Sequence, residues 1–301
     1  MRVAAIDCGT NSIRLLIADV DAGSLTDVSR RMEIVRLGEG VDRTGMLAPA
    51  AIERTRQALL GYAAEIAELG VGRVRMCATS ASRDASNAAD FRAMVRSVLG
   101  TDPEVITGEE EAGLSFTGAV HGLDAEAPYL VVDIGGGSTE FVVGSDTVRH
   151  AVSVDIGCVR LTERHLYSDP PTAAEIAAAE RDITEAVDAA LRKASGRGTA
   201  TLVGLAGSVT TVTSLALGLP DYDSARIHHA RVSYDDVAKV TQELLGATVA
   251  DRRELPGMHP GRADVIGAGA LILRIIMERA GKTSVVASEH DILDGIAFGL
   301  A

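Results

Sequence analysis

One short pattern occurs twice in this chain and limits the folds open to it. Val3-Ala4-Ala5-Ile6-Asp7-Cys8-Gly9-Thr10-Asn11-Ser12 leads into Ile13-Arg14-Leu15-Leu16-Ile17-Ala18-Asp19. Tyr129-Leu130-Val131-Val132-Asp133-Ile134-Gly135-Gly136-Gly137-Ser138 leads into Thr139-Glu140-Phe141-Val142-Val143. The two align without gaps at an offset of 126 residues, so Asp7 matches Asp133, Gly9 matches Gly135 and Ser12 matches Ser138. Each reads as strand, tight polar turn, strand, because short β-branched apolar runs flank a Gly-punctuated turn. Two copies about half a chain apart predict two domains of related build.

Length agrees: 301 residues suggest two domains at roughly 150 residues each. With 47% hydrophobic and 24% charged residues, the chain is globular rather than disordered. A net charge of −13 repels polyanions in bulk, which excludes non-specific nucleic-acid binding but leaves room for a polyanion in a locally positive cleft. Five Tyr, four Phe and no Trp supply no stacking surface for bases. Cys8, Cys77 and Cys158 are far apart and form no CxxC, so neither a disulfide framework nor a cysteine zinc site is expected, and a reducing compartment fits. The N-terminus turns polar by Asp7, too soon for a signal peptide, and no run reaches the roughly 20 apolar residues of a membrane helix. The expectation is a cytoplasmic protein with no membrane partner.

Strand and helix signals alternate in both halves, which predicts an α/β fold. Helices are expected at 49–68, 88–99, 109–120, 172–194, 208–217, 233–245, 263–279 and 292–300, and further strands at 74–78, 201–205 and 284–287. Thr172 and Glu175 form a capping-box pattern. The stretch 122–128 is the expected boundary, giving domains 1–124 and 125–301, with the closing helix of 290–301 packing back on the first.

Five segments carry chemistry. In Asp7-Cys8-Gly9-Thr10-Asn11-Ser12 a carboxylate ends a strand and Gly9, Thr10, Asn11 and Ser12 offer backbone N–H groups and hydroxyls to an anion, although an Asx-type turn would use the same residues. The run Gly135-Gly136-Gly137-Ser138-Thr139 has more glycine than a hairpin needs, which points to a ligand close to the backbone. Asp133 and Glu140 flank it, and as hairpin partners both can face one cleft and hold Mg²⁺ or Mn²⁺. Ser80-Ala81-Ser82-Arg83 and Gly207-Ser208 each follow a strand and open a helix, a grammar suited to phosphate or to an ordinary N-cap. Glu109-Glu110-Glu111 opens another helix, where acids are favourable through the dipole; one could serve as a general base, and the residues alone do not choose among them. Cys158 reads as a small buried residue. No HExxH, GxSxG or complete P-loop occurs.

Together, Asp7 to Arg14, Thr79 to Arg83, Glu110-Glu111-Ala112, Asp133 to Glu140, Gly157 to Leu161 and Gly207-Ser208 resemble the exopolyphosphatase/guanosine pentaphosphate phosphohydrolase family in its short, two-domain form. The resemblance covers essentially the whole chain. It implies two ribonuclease-H-like domains of the actin–Hsp70–sugar-kinase superfamily around an interdomain phosphate cleft, and hydrolysis of a terminal phosphoanhydride of inorganic polyphosphate. It places the catalytic glutamate on Glu111, with Glu110 one residue away as the alternative. It gives Mg²⁺ to Asp133 and Glu140 with Asp7, the phosphates to the turns at 9–12, 80–83 and 135–139, and charge neutralisation to Arg14 and Arg83. It also implies a homodimer. Conversion of pppGpp to ppGpp, a non-catalytic sensor of polyphosphate or (p)ppGpp, and a kinase or ATPase are the competing readings. Ser288-Glu289-His290-Asp291-Ile292-Leu293-Asp294-Gly295 departs from the family's Ser-Asp-x-x-Leu-Arg-Glu-Gly pattern.

Overall fold

A computed structural model describes residues 1–301. The chain divides into two compact units, Met1–Gly118 with Asp291–Ala301, and Ala119–His290. The first unit is built on β1 (Arg2–Cys8), β2 (Ser12–Asp21), β3 (Ser24–Ile34), α1 (Val41–Thr44), α2 (Pro49–Glu68), β4 (Arg73–Ala78), α3 (Ser80–Asp84), α4 (Ala88–Leu99), β5 (Glu104–Val105) and α5 (Gly108–Val120), the last turn of α5 crossing into the second unit. Its sheet runs β3-β2-β1-β4-β5, with β1, β2 and β3 antiparallel and β4 and β5 parallel to β1. β1 is almost wholly apolar and buried, as a strand covered on both faces must be. On one face lie Ile6, Ile13 and Leu15 with Leu59 and Tyr62 of α2 and Phe91 of α4. Pro49 at the first turn of α2 has the φ a helix start requires, and Thr55, Leu59, Tyr62 and Ile66 recur on its buried stripe.

The second unit holds β6 (Tyr129–Ile134), β7 (Thr139–Gly144), β8 (Val148–Val154), α6 (Cys158–His165), α7 (Ala173–Ala194), β9 (Thr201–Leu205), α8 (Ala206–Ala216), α9 (Ser224–Ile227), β10 (Arg231–Ser233), α10 (Tyr234–Gly246), α11 (Val249–Arg253), α12 (Ile266–Ala280) and β11 (Ser284–Ala287). Its sheet order is β10-β11-β9-β6-β7-β8. Read from β8 inward, three antiparallel strands are followed by parallel β9, the order found in the first unit. The repeat seen in sequence is thus a repeat of topology. α7 opens on the expected capping box, with Thr172 accepting from the Glu175 N–H and Glu175 returning to the Thr172 N–H.

The last helix, α13 (Ile292–Phe298), belongs to the first unit. Ile292, Leu293 and Ile296 pack on the face of the sheet opposite α2, with Val3, Ala5 and Leu16. Gly118 of α5 and Gly295 of α13 let these helices meet: a Cβ at Gly118 would overlap the carbonyl of Asp291, and one at Gly295 the carbonyl of Leu114.

Candidate active site

The two turns of the repeat close in the same way. Gly9 N–H donates to Ser12 O at 2.9 Å, and Gly135 N–H donates to Ser138 O at 3.0 Å. Each turn is also supported from behind by a segment that takes its carbonyls. In the first unit, Gly38 N–H donates to Thr10 O (2.8 Å), and the Val35 and Arg36 N–H groups donate to Asn11 O (3.0 and 2.8 Å). In the second, the start of α6 does this work: Cys158 N–H reaches Gly135 O (2.9 Å), and Val159 and Arg160 N–H reach Gly136 O (2.9 and 3.1 Å). Arg160 Nε adds a bond to Gly137 O at 2.7 Å. A trans peptide carries its N–H opposite its C=O. Turning the carbonyls of 135–137 toward α6 therefore aims the amides of Gly136, Gly137 and Ser138 the other way, and the same holds for Asn11 and Ser12. Successive amides aimed to one side make an anion-binding nest. The supports have a steric signature: a Cβ at Gly38 would overlap the Thr10 side chain, and one at Gly157 the backbone of Gly136.

The first unit gathers three of the expected segments. Thr10 Oγ1 and Ser80 Oγ share a hydrogen bond at 2.8 Å, which joins the 9–12 turn to α3. Thr79 N–H donates to Cys8 O at 3.2 Å. Ser82 Oγ is buried without a partner, an orphan hydroxyl on the same short helix. Arg83 Nη1 donates to Ile106 O at 2.9 Å and faces Glu111 Oε2 at 3.4 Å. The three acids of α5 separate by burial. Glu109 is exposed, Glu110 is exposed and pairs with Arg75 at 3.2 Å, and Glu111 is only 9% exposed.

The positions after the turns differ in charge. Asp7 lies opposite Arg14 in the β1–β2 register, and Asp133 lies opposite Glu140 in the β6–β7 register. Directly opposed residues share a face of the sheet. In the first unit this gives an ion pair, with Arg14 Nε and Nη2 donating to Asp7 Oδ2 at 3.0 and 2.7 Å. Arg14 Nη1 also donates to Asp291 Oδ2, so the expected phosphate ligand is held between two carboxylates. Burial opposes the charge of Arg14, but Asp291 and Asp7 outweigh it and lift its pKa well above the ordinary value. Burial likewise opposes ionisation of Asp291, yet Arg14, Arg30 and the Leu293 N–H hold its carboxyl below the usual range. Asp7 is raised, because burial exceeds its share of Arg14. In the second unit the opposed pair is two acids, 8% and 1% exposed, with Ser153 Oγ donating to Glu140 Oε1 at 2.7 Å.

Gly207 and Ser208 lie in the first turn of α8, after Ala206 at φ 65°. Arg262 covers them: a Cβ at Gly207 would strike its guanidinium, and Arg262 Nη1 lies 3.5 Å from Thr211 Oγ1. Nothing local in the sequence links residues 207 and 262, so this cation escaped a reading by motif. Cys158 sits beside Ser208, its thiol pushed up by burial against the pull of Ser208 and Arg262, which suits a packing residue rather than a nucleophile. No group of three or more His, Cys, Asp and Glu gathers to hold a metal. No helix is long and apolar enough to cross a membrane.

The model of the Ppx/GppA phosphatase family matches residues 16–300. The chain belongs to this family. It is 54% identical over 314 aligned positions to Exopolyphosphatase 2 of Mycobacterium tuberculosis, covering 100% of this chain and 98% of that one. A crystal structure described as an exopolyphosphatase-like protein superposes with a TM-score of 0.97 at 44% identity, covering 100% and 97% of the two chains. The Aquifex aeolicus Ppx/GppA family member superposes at 0.84 and 33% identity, again over 100% and 97%. The Ppx/GppA fold of this chain is the actin-like one, two α/β units of ribonuclease-H-like build.

Proposed function

We propose that the protein is an exopolyphosphatase, hydrolysing the terminal phosphoanhydride of inorganic polyphosphate to release orthophosphate. The observation that carries this reading is the pair of turns whose carbonyls are taken by a supporting segment, leaving the amides of 11–12 and 136–138 to bind phosphate oxygens. The 54%-identical relative named for this activity supports it. Glu111 orients and deprotonates the attacking water, because it is the one buried acid of its run and Arg83 fixes its direction. The hydroxyl that the Thr10–Ser80 hydrogen bond leaves free, the Ser138 hydroxyl and the turn of Gly207-Ser208 hold further phosphate oxygens, and Arg83 offsets charge on the transferred group; the expected Thr139 hydroxyl is instead given to Ile156 O at 2.6 Å. Preorganised donors of this kind supply most of the barrier lowering in phosphoryl transfer.

Asp133 and Glu140 fit a divalent cation. Mg²⁺ is commonly held by one or two carboxylates, its remaining positions going to water and phosphate oxygens, and Asp133 and Glu140 share one face of the sheet as register partners. When bound there, Mg²⁺ or Mn²⁺ would neutralise phosphate oxygens. Asp7 has only Oδ1 to offer, since Oδ2 holds Arg14.

Orthophosphate release is to be measured with Mg²⁺ from tripolyphosphate, long polyphosphate, pppGpp and ATP, with a chelator control. Release from polyphosphate that stops in excess chelator is expected. Release mainly from pppGpp would move the protein to the alarmone reaction. Turnover of ATP alone would make it a kinase or ATPase, and binding without release would make it a sensor.

A further inference from the structure

We infer that Asp291, the N-cap of the closing helix, is a positioning residue that fixes Arg14, and through it Asp7, beside the 9–12 turn. This rests on the activity proposed above. Asp291 lies 277 residues from Arg14 in sequence, in a stretch that departs from the family pattern. Its two oxygens have separate tasks: Oδ1 accepts from the Leu293 N–H at 3.1 Å and caps α13, while Oδ2 accepts from Arg14 Nη1. Arg14 is gripped on its other edge by Asp7. A guanidinium is planar and directional, so contacts on both edges hold it in one orientation. The register places Arg14 one residue pair from the turn, opposite Asp7. The carbonyl of Asp291 also abuts Gly118 on α5, the helix that presents Glu111. One cap residue thus ties the β1–β2 hairpin, the glutamate helix and the C-terminal helix together.

Asp294 supplies the control. It completes the same capping box, accepting from the Asp291 N–H at 2.9 Å, and pairs with Arg30 at 2.7 Å. Asp291→Asn keeps a carbonyl oxygen for the cap but loses the acceptor facing Arg14, and Asp291→Ser keeps a good N-cap with no charge. With tripolyphosphate and Mg²⁺, D291N and D291S are expected to lose about tenfold or more in kcat, the range for removing a supporting partner. Their KM should move less than about threefold, and D294N should keep kcat within about twofold of wild type. In the full ¹⁵N-arginine-labelled chain, exchange protection of the Arg14 Nη1 hydrogens, which face Asp291, should be lost in D291N and D291S and kept in D294N. The inference is overturned if D291N and D291S lose no more kcat than D294N, or if the Arg14 signal stays protected in both. A wild type inert toward both tripolyphosphate and long polyphosphate would sink the proposed activity instead and leave the NMR comparison to decide this one.

Discussion

An arginine in one unit and a glutamate in the other occupy the same place in the repeat, 126 residues apart. Arg14 pairs with Asp7, whereas Glu140 places a second acid opposite Asp133, and we propose that the cation binds there. Glu140→Gln should raise the half-saturating Mg²⁺ concentration about 10- to 100-fold, read from a Mg²⁺ titration of phosphate release. An unchanged titration would remove Glu140 from the metal site. Glu111→Gln should lower kcat about 10²- to 10⁴-fold, as loss of a general base does, while Glu110→Gln, exposed and paired with Arg75, should change it less than about threefold. Identical losses in the two variants would contradict the assignment. Sequence alone presents 109–111 as three equivalent acids, because the pattern gives no burial. It also shows Arg14 without its partner, since Asp291 comes close only after the C-terminal helix folds back.

At the scale of elements, regular features with local causes could be read in advance. Pro49 opens α2, Thr172 and Glu175 cap α7, and Gly100 ends α4 in a left-handed conformation. β3 and β8 could not. β3 is largely polar, β8 mixes apolar and polar residues out of register, and both are half-exposed at sheet edges, so neither strict alternation nor an apolar run marks them. The supports behind the turns were hidden for a similar reason, since Val35–Gly38 has no regular structure and α6 has only eight residues. Gly157→Ala tests such a support: the new methyl would collide with Gly136, so the turn must shift. A loss of about 1–3 kcal/mol of stability on denaturant unfolding is expected, with activity falling further. A pH effect belongs to the loop at 228–229. His228 stacks on His229 at 3.7 Å between ring centroids and meets His290 at a tilt at 4.3 Å, and Glu289 N–H donates to His228 Nδ1. Burial, aided by His290, lowers the His229 pKa below 6.5. The unfolded chain then binds the proton more readily, so stability should fall as pH drops below about 6.5. Asn tolerates the left-handed φ of 62° found there, and His229→Asn should flatten that slope in thermal melts between pH 7.5 and 5.5. An equal slope in both proteins would refute the attribution.

For the whole molecule, the internal repeat was the most informative feature of the sequence, because it foretold two units and both units show the same order of strands around a central β1 or β6. The division at Gly118, ahead of the expected stretch 122–128, follows from long-range packing through Gly118 and Gly295, which no window of sequence displays. We propose that water, activated by Glu111, cleaves the end of a polyphosphate chain. The most direct test is orthophosphate release from polyphosphate and Mg²⁺ in H₂¹⁸O, comparing wild type with Glu111→Gln. The account predicts one ¹⁸O in each orthophosphate released and chains shortened one phosphate at a time, with the rate nearly abolished in the variant. Full activity in Glu111→Gln, or orthophosphate without ¹⁸O, would contradict it.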